Sequence, residues 1–348
     1  MLEGITVLDL ASVGPAARAS RWLADYGADV VKIAPVPKDT EVQIKPPFHS
    51  YSGGRGMRRV ELDLKSPEGR NAFLALASSA DAIIESFRPG VMDRLGVGYD
   101  DVVAVNPAIV YCSTTGYGQT GSRAGWAGHD LNYLAAGGFL AASTPGEGGK
   151  PPIPGATVAD SAGGGMHAVM SILAALVHRQ HTGEGTRLDV SVVDGLTALM
   201  ALSIDEHLAT GAPQGPGSGL LTGRYACYDL YEAADHKWVS VAAIERRFWA
   251  NLCEALGLER WIEYQHDDAA QEEIRADLRA AFATKERDAW TAELAPKDTC
   301  VAPVLTVEEV AANAEVIDAV HPDHGRYQQL APTLAGSVRP AEPVELPA

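Results

Sequence analysis

Residues 5–33 restrict the fold more than any other stretch. Ile5 to Leu10 is an apolar run of strand length, and Gly14-Pro15 opens an amphipathic helix that reaches about Tyr26. Pro suits a helix's first turn, where its missing N–H has no intrahelical partner. Gly27 ends the helix, and Asp29 to Ile33 is a second strand. So compact a strand–helix–strand unit makes its strands parallel, with a right-handed crossover. The pattern then repeats. Val60–Leu64 is a strand, Ser66-Pro67-Glu68 caps a helix to about Ser79, and Ala82–Glu85 is a strand. Short helices follow at Val91–Leu95 and near Asp100–Val105, then strands at Ala108–Ser113 and Arg187–Val193. The expected fold class is α/β: a Rossmann-like large domain with a parallel sheet, followed by a smaller α+β domain. Ala11-Ser12-Val13-Gly14-Pro15 is not G-x-G-x-x-G, so nothing here indicates a nicotinamide dinucleotide.

With 348 residues the chain suits roughly two domains. The large domain is expected over 1–210. Residues 211–223, rich in Gly, Pro and Ser, read as a linker. The small domain is expected over 224–320, opening with a hairpin of Tyr225–Tyr231 and Trp238–Ala243. Glu245 follows that hairpin and leads a helix, Arg246–Leu256. Further helices run to about Ala283, over Arg287–Leu294 and over Val307–Val316, with a strand at Ala302–Leu305 and an extended tail from His324.

The formal net charge of −17 argues against nucleic acid or an anionic membrane as partner. No apolar run approaches the roughly 18 residues of a membrane-spanning helix, and no signal peptide is read ahead of the first strand. Cys112, Cys227, Cys253 and Cys300 lie too far apart for a metal pattern or a disulfide framework, so a cytoplasmic setting is expected. His178 and His181 read as helix-end residues, and no metal site is expected. Arg55, Arg58, Arg59 and Lys65 cluster locally, either as an anion site or as a solvated face. Ligands bind beyond the carboxyl ends of strands in open α/β sheets, which puts Lys32, Arg88 and the Gly116 loop near a site.

The chemistry-bearing stretch runs from Gly128-His129-Asp130 to Asp160-Ser161-Ala162-Gly163-Gly164-Gly165. Asp160 precedes an apolar run, Met166–Val177, that reads as a buried helix. Its expected position is N-cap-like, where backbone N–H groups favour negative charge. A His and a carboxylate on converging segments suggest acid/base chemistry. Spacing alone leaves open a plain cap and a loop histidine.

Several motifs occur in one order along nearly the whole chain: Gly27-Ala28-Asp29-Val30-Val31-Lys32-Ile33, Leu62-Asp63-Leu64-Lys65, Phe87-Arg88-Pro89-Gly90, Thr115-Gly116-Tyr117-Gly118-Gln119-Thr120-Gly121 and Val193-Asp194-Gly195. By these the chain resembles the family III (CaiB/BaiF) CoA-transferases, a group that includes α-methylacyl-CoA racemases. Gly-His-Asp-x-Asn-Tyr at 128–133, the Asp before Gly163-Gly164-Gly165, and Ala243-Ile244-Glu245 are similar to the racemase branch. Ala34-Pro35, Met57 and Asp235-His236 depart from the usual pattern, which affects CoA contacts. The resemblance implies a 2-methylacyl-CoA substrate inverted at its α-carbon through an enolate, with His129 and Asp160 as the two acid/base groups and Glu245 orienting His129. Backbone N–H groups at the start of the Gly163 helix are the expected oxyanion donors. Coenzyme A is then part of the substrate, and Lys32, Arg55, Arg58, Lys65 and Arg88 are the expected contacts to it. The resemblance also implies an interlocked homodimer and a tail, 321–348, that completes the large domain. The alternative is a CoA-transferase that moves CoA between carboxylic acids through an acyl anhydride on Asp160.

Overall fold

Six parallel strands carry the first unit of the chain, in the order β3-β2-β1-β4-β5-β6. They are β1 Thr6–Asp9, β2 Asp29–Ala34, β3 Met57–Glu61, β4 Ala82–Glu85, β5 Val110–Thr115 and β6 Thr186–Ser191. The computed structural model describes residues 1–11, 13–36, 54–322 and 325–346. Alternation along each strand sends side chains to two cores. Val7, Val30, Ile84, Val110 and Cys112 enter one, with α1 (Gly14–Asp25) and the helix His167–Thr182 over them. Leu8, Val31, Ile83 and Tyr111 enter the other, under Phe73 and Ala77 of α2 (Pro67–Ala77) and Met92 and Val102 of α3 (Val91–Leu95) and α4 (Tyr99–Val103). This double burial is what a parallel sheet requires. The strand order reverses between β1 and β4, which opens a crevice at their carboxyl ends.

Two compact units divide the chain. One comprises 1–139, 153–201 and 314–348; the other comprises 140–152 and 202–313. Residues 211–223, read as a linker, fall inside the second unit and are internally bonded: Gly217 N–H donates to the Thr222 carbonyl at 2.6 Å, and Gly215 N–H to Ser218 Oγ at 2.8 Å. The second unit's sheet, β7 (Tyr228–Glu232), β8 (Trp238–Ala242) and β9 (Val301–Pro303), is antiparallel, with Tyr231 opposite Val239. Trp249, Leu252, Ile274, Leu278, Phe282 and Trp290 fill its core.

Where a helix to Val316 was expected, the helix stops at Asn313 and β10 (Val316–His321) begins. It pairs antiparallel with β11 (Gly325–Leu330) and parallel with β12 (Val344–Glu345), so the tail forms a third small sheet within the first unit. His324, where an extended tail was expected to start, lies outside the described residues.

The expectation of no run long enough to span a membrane is corrected. Ala159–Thr182 is one continuous helix of 24 residues with the length and composition of a span. Its inner face packs Ala168, Val169, Ile172, Ala175 and Leu176 into the first unit's core. The apolar run was read from Met166, with the glycines at the start of the helix and Asp160 ahead of it.

Candidate active site

Asp160 is the second residue of a π-helical turn, Ala159–Met166, that runs directly into His167–Thr182. It is therefore inside the helix, not at its cap, and Val158 holds the N-cap position. A π-turn is wider than an α-turn and recurs at functional sites. Here three glycines let it pack closely. A Cβ on Gly163 would sit 2.9 Å from the Val192 carbonyl oxygen, one on Gly165 2.8 Å from the Trp22 ring, and one on Gly164 would collide with Pro15. These glycines are buried within the turn, so they are not helix-start donors. The unpaired N–H groups of a helix lie in its first residues, and the Asp160 N–H is already taken.

Its acceptor is Asp130 Oδ1, at 2.8 Å. This single bond joins the two ends of the motif stretch. Asp130 starts α5 (Asp130–Ala136), whose N-cap is His129. The Gly-His-Asp-x-Asn-Tyr motif now reads as a set of local jobs. Asn132 Oδ1 accepts the His129 N–H at 3.1 Å, closing the turn. Tyr133 Oη donates to the Gly128 carbonyl at 2.6 Å, and a Cβ on Gly128 would meet that ring at 2.7 Å. Gly116 also gives way to the Tyr133 ring, and its carbonyl accepts the Val193 N–H at 3.1 Å. Burial pushes the Tyr133 hydroxyl up to about 12, helped by the Asp160 charge, so it stays protonated near neutrality. His129 is exposed and acts electrostatically on Asp160.

Asp160 is mostly buried, its side chain 15% exposed. Burial raises its carboxyl above the usual carboxylate range; Arg18 opposes that, Asp130 adds to it and His129 opposes it. Arg18 Nη1 lies 3.4 Å from Asp160 Oδ2, while its Nη2 donates to Thr157 Oγ1 at 2.6 Å and Nη1 to the Gly14 carbonyl at 3.3 Å. Sequence reasoning missed Arg18, Asp130 and Thr157. The available signal was Arg18 in the turn after Gly14-Pro15, beside the carboxyl end of β1.

The expected basic residues separate into two groups. Lys32, Lys65 and Arg88 fall toward the carboxyl edge of the sheet: Lys32 lies within β2 opposite Asp9, the last residue of β1, and Lys65 and Arg88 lie beyond the ends of β3 and β4. Lys32 Nζ donates to Asp9 Oδ2 at 3.2 Å and to the Ala11 carbonyl at 2.7 Å. Asp9 is fully buried; burial pushes its carboxyl up and the Lys32 charge pulls it down. Arg55 and Arg58 do not join this group. They precede and begin β3, at the amino edge. Arg55 is buried against Asp25 (2.9 Å), Gln329 Oε1 (3.3 Å) and the Leu330 carbonyl (2.6 Å), tying α1 to the tail sheet. Arg58 pairs with Asp29. Glu245 is the N-cap of Arg246–Leu256 in the second unit.

Arg88 borders a small polar pocket with Glu85, Tyr111, Ser113 and Arg187. Burial raises the Glu85 carboxyl, opposed by Ser113, by the Phe87 N–H at 2.8 Å and by Arg187. A raised acid gives full stability while protonated and loses it as pH climbs through the folded value. The Glu85 contribution to the urea midpoint should therefore fall from about pH 4.5, the unperturbed value, upward. Glu85→Gln should flatten that fall, and parallel pH curves for the two proteins would refute it.

The model of CoA-transferase family III matches residues 2–343. The mouse α-methylacyl-CoA racemase is 34% identical over 329 residues, covering 94% of this chain and 81% of that protein. The acetyl-CoA:oxalate CoA-transferase of Acetobacter aceti is 30% identical over 325 residues, covering 89% and 82%. A CAIB/BAIF family protein from Brucella suis superposes with a TM-score of 0.76 at 28% identity, covering 89% of this chain and 85% of that one.

Proposed function

The chain belongs to CoA-transferase family III, and from that premise we propose that it inverts the α-carbon of 2-methyl-branched acyl-CoA thioesters. The observation that carries this reading is the Asp130–Asp160 hydrogen bond, which holds the residue next to His129 against Asp160. Racemisation removes the α-proton from one face and returns a proton to the other, through a planar enolate. It needs two groups that each act as acid and base. Asp160 accepts the proton from one enantiomer while protonated His129 delivers one to the opposite face; the other enantiomer reverses the roles. Both reset by exchange with water. Donors to the enolate oxygen lower the barrier further. In the proposed homodimer, Glu245 of the partner subunit would orient His129, as a carboxylate does in a triad. Lys32, Lys65 and Arg88, at the carboxyl edge, are proposed to face the anionic part of CoA. Two features set limits here: Lys32 already holds Asp9, and Ala34-Pro35 replaces the charged pair usual in racemases. A homodimer is proposed as well. In support, the first unit exposes Met170, Val177 and Leu199, side chains a monomer would normally cover.

CoA transfer is the second reading, favoured by relatives named as CoA-transferases at similar identity. Asp160 would then attack the thioester carbonyl, release CoA thiolate and carry the acyl group as an anhydride; the acceptor acid displaces the donor acid to form its own anhydride with Asp160, and the thiolate attacks the acceptor's acyl carbon, giving the new thioester and freeing Asp160. Incubating one enantiomer of a 2-methylacyl-CoA in D2O with no acceptor acid separates the two. Deuterium at C2 with loss of chirality is expected. Turnover that requires an acceptor acid, yields a hydroxylamine-trappable acyl-enzyme and leaves C2 unexchanged would overturn the racemase reading.

A further inference from the structure

We propose that Arg18 is the positioning residue for Asp160: from α1 it faces one carboxylate oxygen and fixes the group for its turn as a carboxylate. This rests on the reading that Asp160 is a reacting group, and it applies to proton abstraction and nucleophilic attack alike, since both need the ionised form.

The geometry has three parts. Arg18 Nη1 faces Asp160 Oδ2 at 3.4 Å, with both side chains largely buried, 18% and 15% exposed. The guanidinium is itself fixed by Thr157 Oγ1 and the Gly14 carbonyl, so the planar fork is set before Asp160 is engaged. Finally, α1 lies close enough for this reach because the π-turn offers it glycines: Gly164 faces Pro15, and Gly165 faces Trp22 and the Arg18 Cβ. Gly14, at a φ of +76° that favours glycine, turns its carbonyl to accept from Arg18 Nη1.

The charged and titratable groups around Asp160 are Arg18 on α1 and His129, Asp130 and Tyr133 on α5 and its cap. Asp130 binds the Asp160 N–H, yet its charge works against ionisation of the neighbouring carboxyl, as burial does. Arg18 is the larger of the two opposing influences, and His129 the smaller. Since His129 changes charge during the proposed cycle and Arg18 does not, the Arg18 charge is the one that stays fixed beside Asp160 throughout it.

The test is the titration of Asp160 itself. Full-length protein labelled with aspartate 13C at the side-chain carboxyl gives a carbon signal that Asp160→Asn assigns. In Arg18→Gln this signal should titrate about one pH unit higher than in wild type, the low end of the effect of a close opposite charge. Arg18→Lys retains the charge without the fork and should fall between them; it also serves if the Gln variant does not fold. The acid limb of kcat/KM should move with the carbon signal. Equal titration of Asp160 in wild type and both variants overturns the assignment. A signal that moves while the acid limb stays fixed overturns the reading of Asp160 as the reacting group, and leaves its pairing with Arg18 standing.

Discussion

Replacing Asp160 by Asn is expected to abolish inversion while sparing proton exchange from one enantiomer. The amide keeps the size of the side chain and removes its ability to accept a proton. The enantiomer whose α-proton faces Asp160 then has no base, whereas the one facing His129 still loses its proton and regains it on the same face. His129→Ala should give the mirror-image result. Positioned acid/base groups supply about 10² to 10⁴ in rate, so inversion should fall by that order in both variants, followed by chiral separation of product thioesters. Deuterium uptake measured separately for each enantiomer gives the assignment of faces. Full inversion in Asp160→Asn removes Asp160 from the mechanism. Unimpaired turnover in His129→Ala, with dependence on an acceptor acid, promotes transfer of CoA.

The largest expected stability effect lies at Gly195→Ala. Alanine normally improves a helix by up to about 1 kcal/mol over glycine, and Gly195 lies within the helix Val192–Leu199. Here the sign should invert. A Cβ on Gly195 would overlap the Gly163 carbonyl oxygen and sit 2.9 Å from the Gly163 Cα. Both are backbone atoms, so no side-chain rotation relieves the clash. A loss of about 3 kcal/mol, the upper end for overpacking, is expected, along with reduced activity because Gly163 belongs to the Asp160 turn. Gly125→Ala, where a Cβ meets nothing within 4 Å, is the control. Equal urea midpoints for Gly195→Ala and wild type would contradict the close approach of the two helices.

The first βαβ unit was legible because three signals coincide there: an apolar strand, Pro in the first helical turn, and Gly27 with φ +95° where the helix ends. The strands β3 and β5 were misplaced by two or three residues. Arg58 and Arg59 look too polar to open a strand, and Thr114 and Thr115 look like loop; sheet pairing overrides both. The tail sheet was missed for a related reason. Gly325–Leu330 reads GRYQQL, with no apolar alternation, and only Gln329 of it is buried, against Arg55. At the site, His129 and Asp160 were visible through motifs whose glycines and aromatics turn out to hold each other in place. Arg18 was not, since nothing along the chain connects it to a carboxylate 142 positions away. Arg55 and Arg58 separate from Lys65 because closeness in sequence hides a whole strand's length: the arginines precede or open β3 and Lys65 follows its end.

The Asp130–Asp160 bond spans 30 positions and closes the base of an excursion whose middle, 140–152, belongs to the second unit. Loop closure depends only weakly on length, about 0.6 kcal/mol for each doubling. Segments between Asp130 and Asp160 can therefore grow, shrink or change composition at little entropic cost to the bond that closes them.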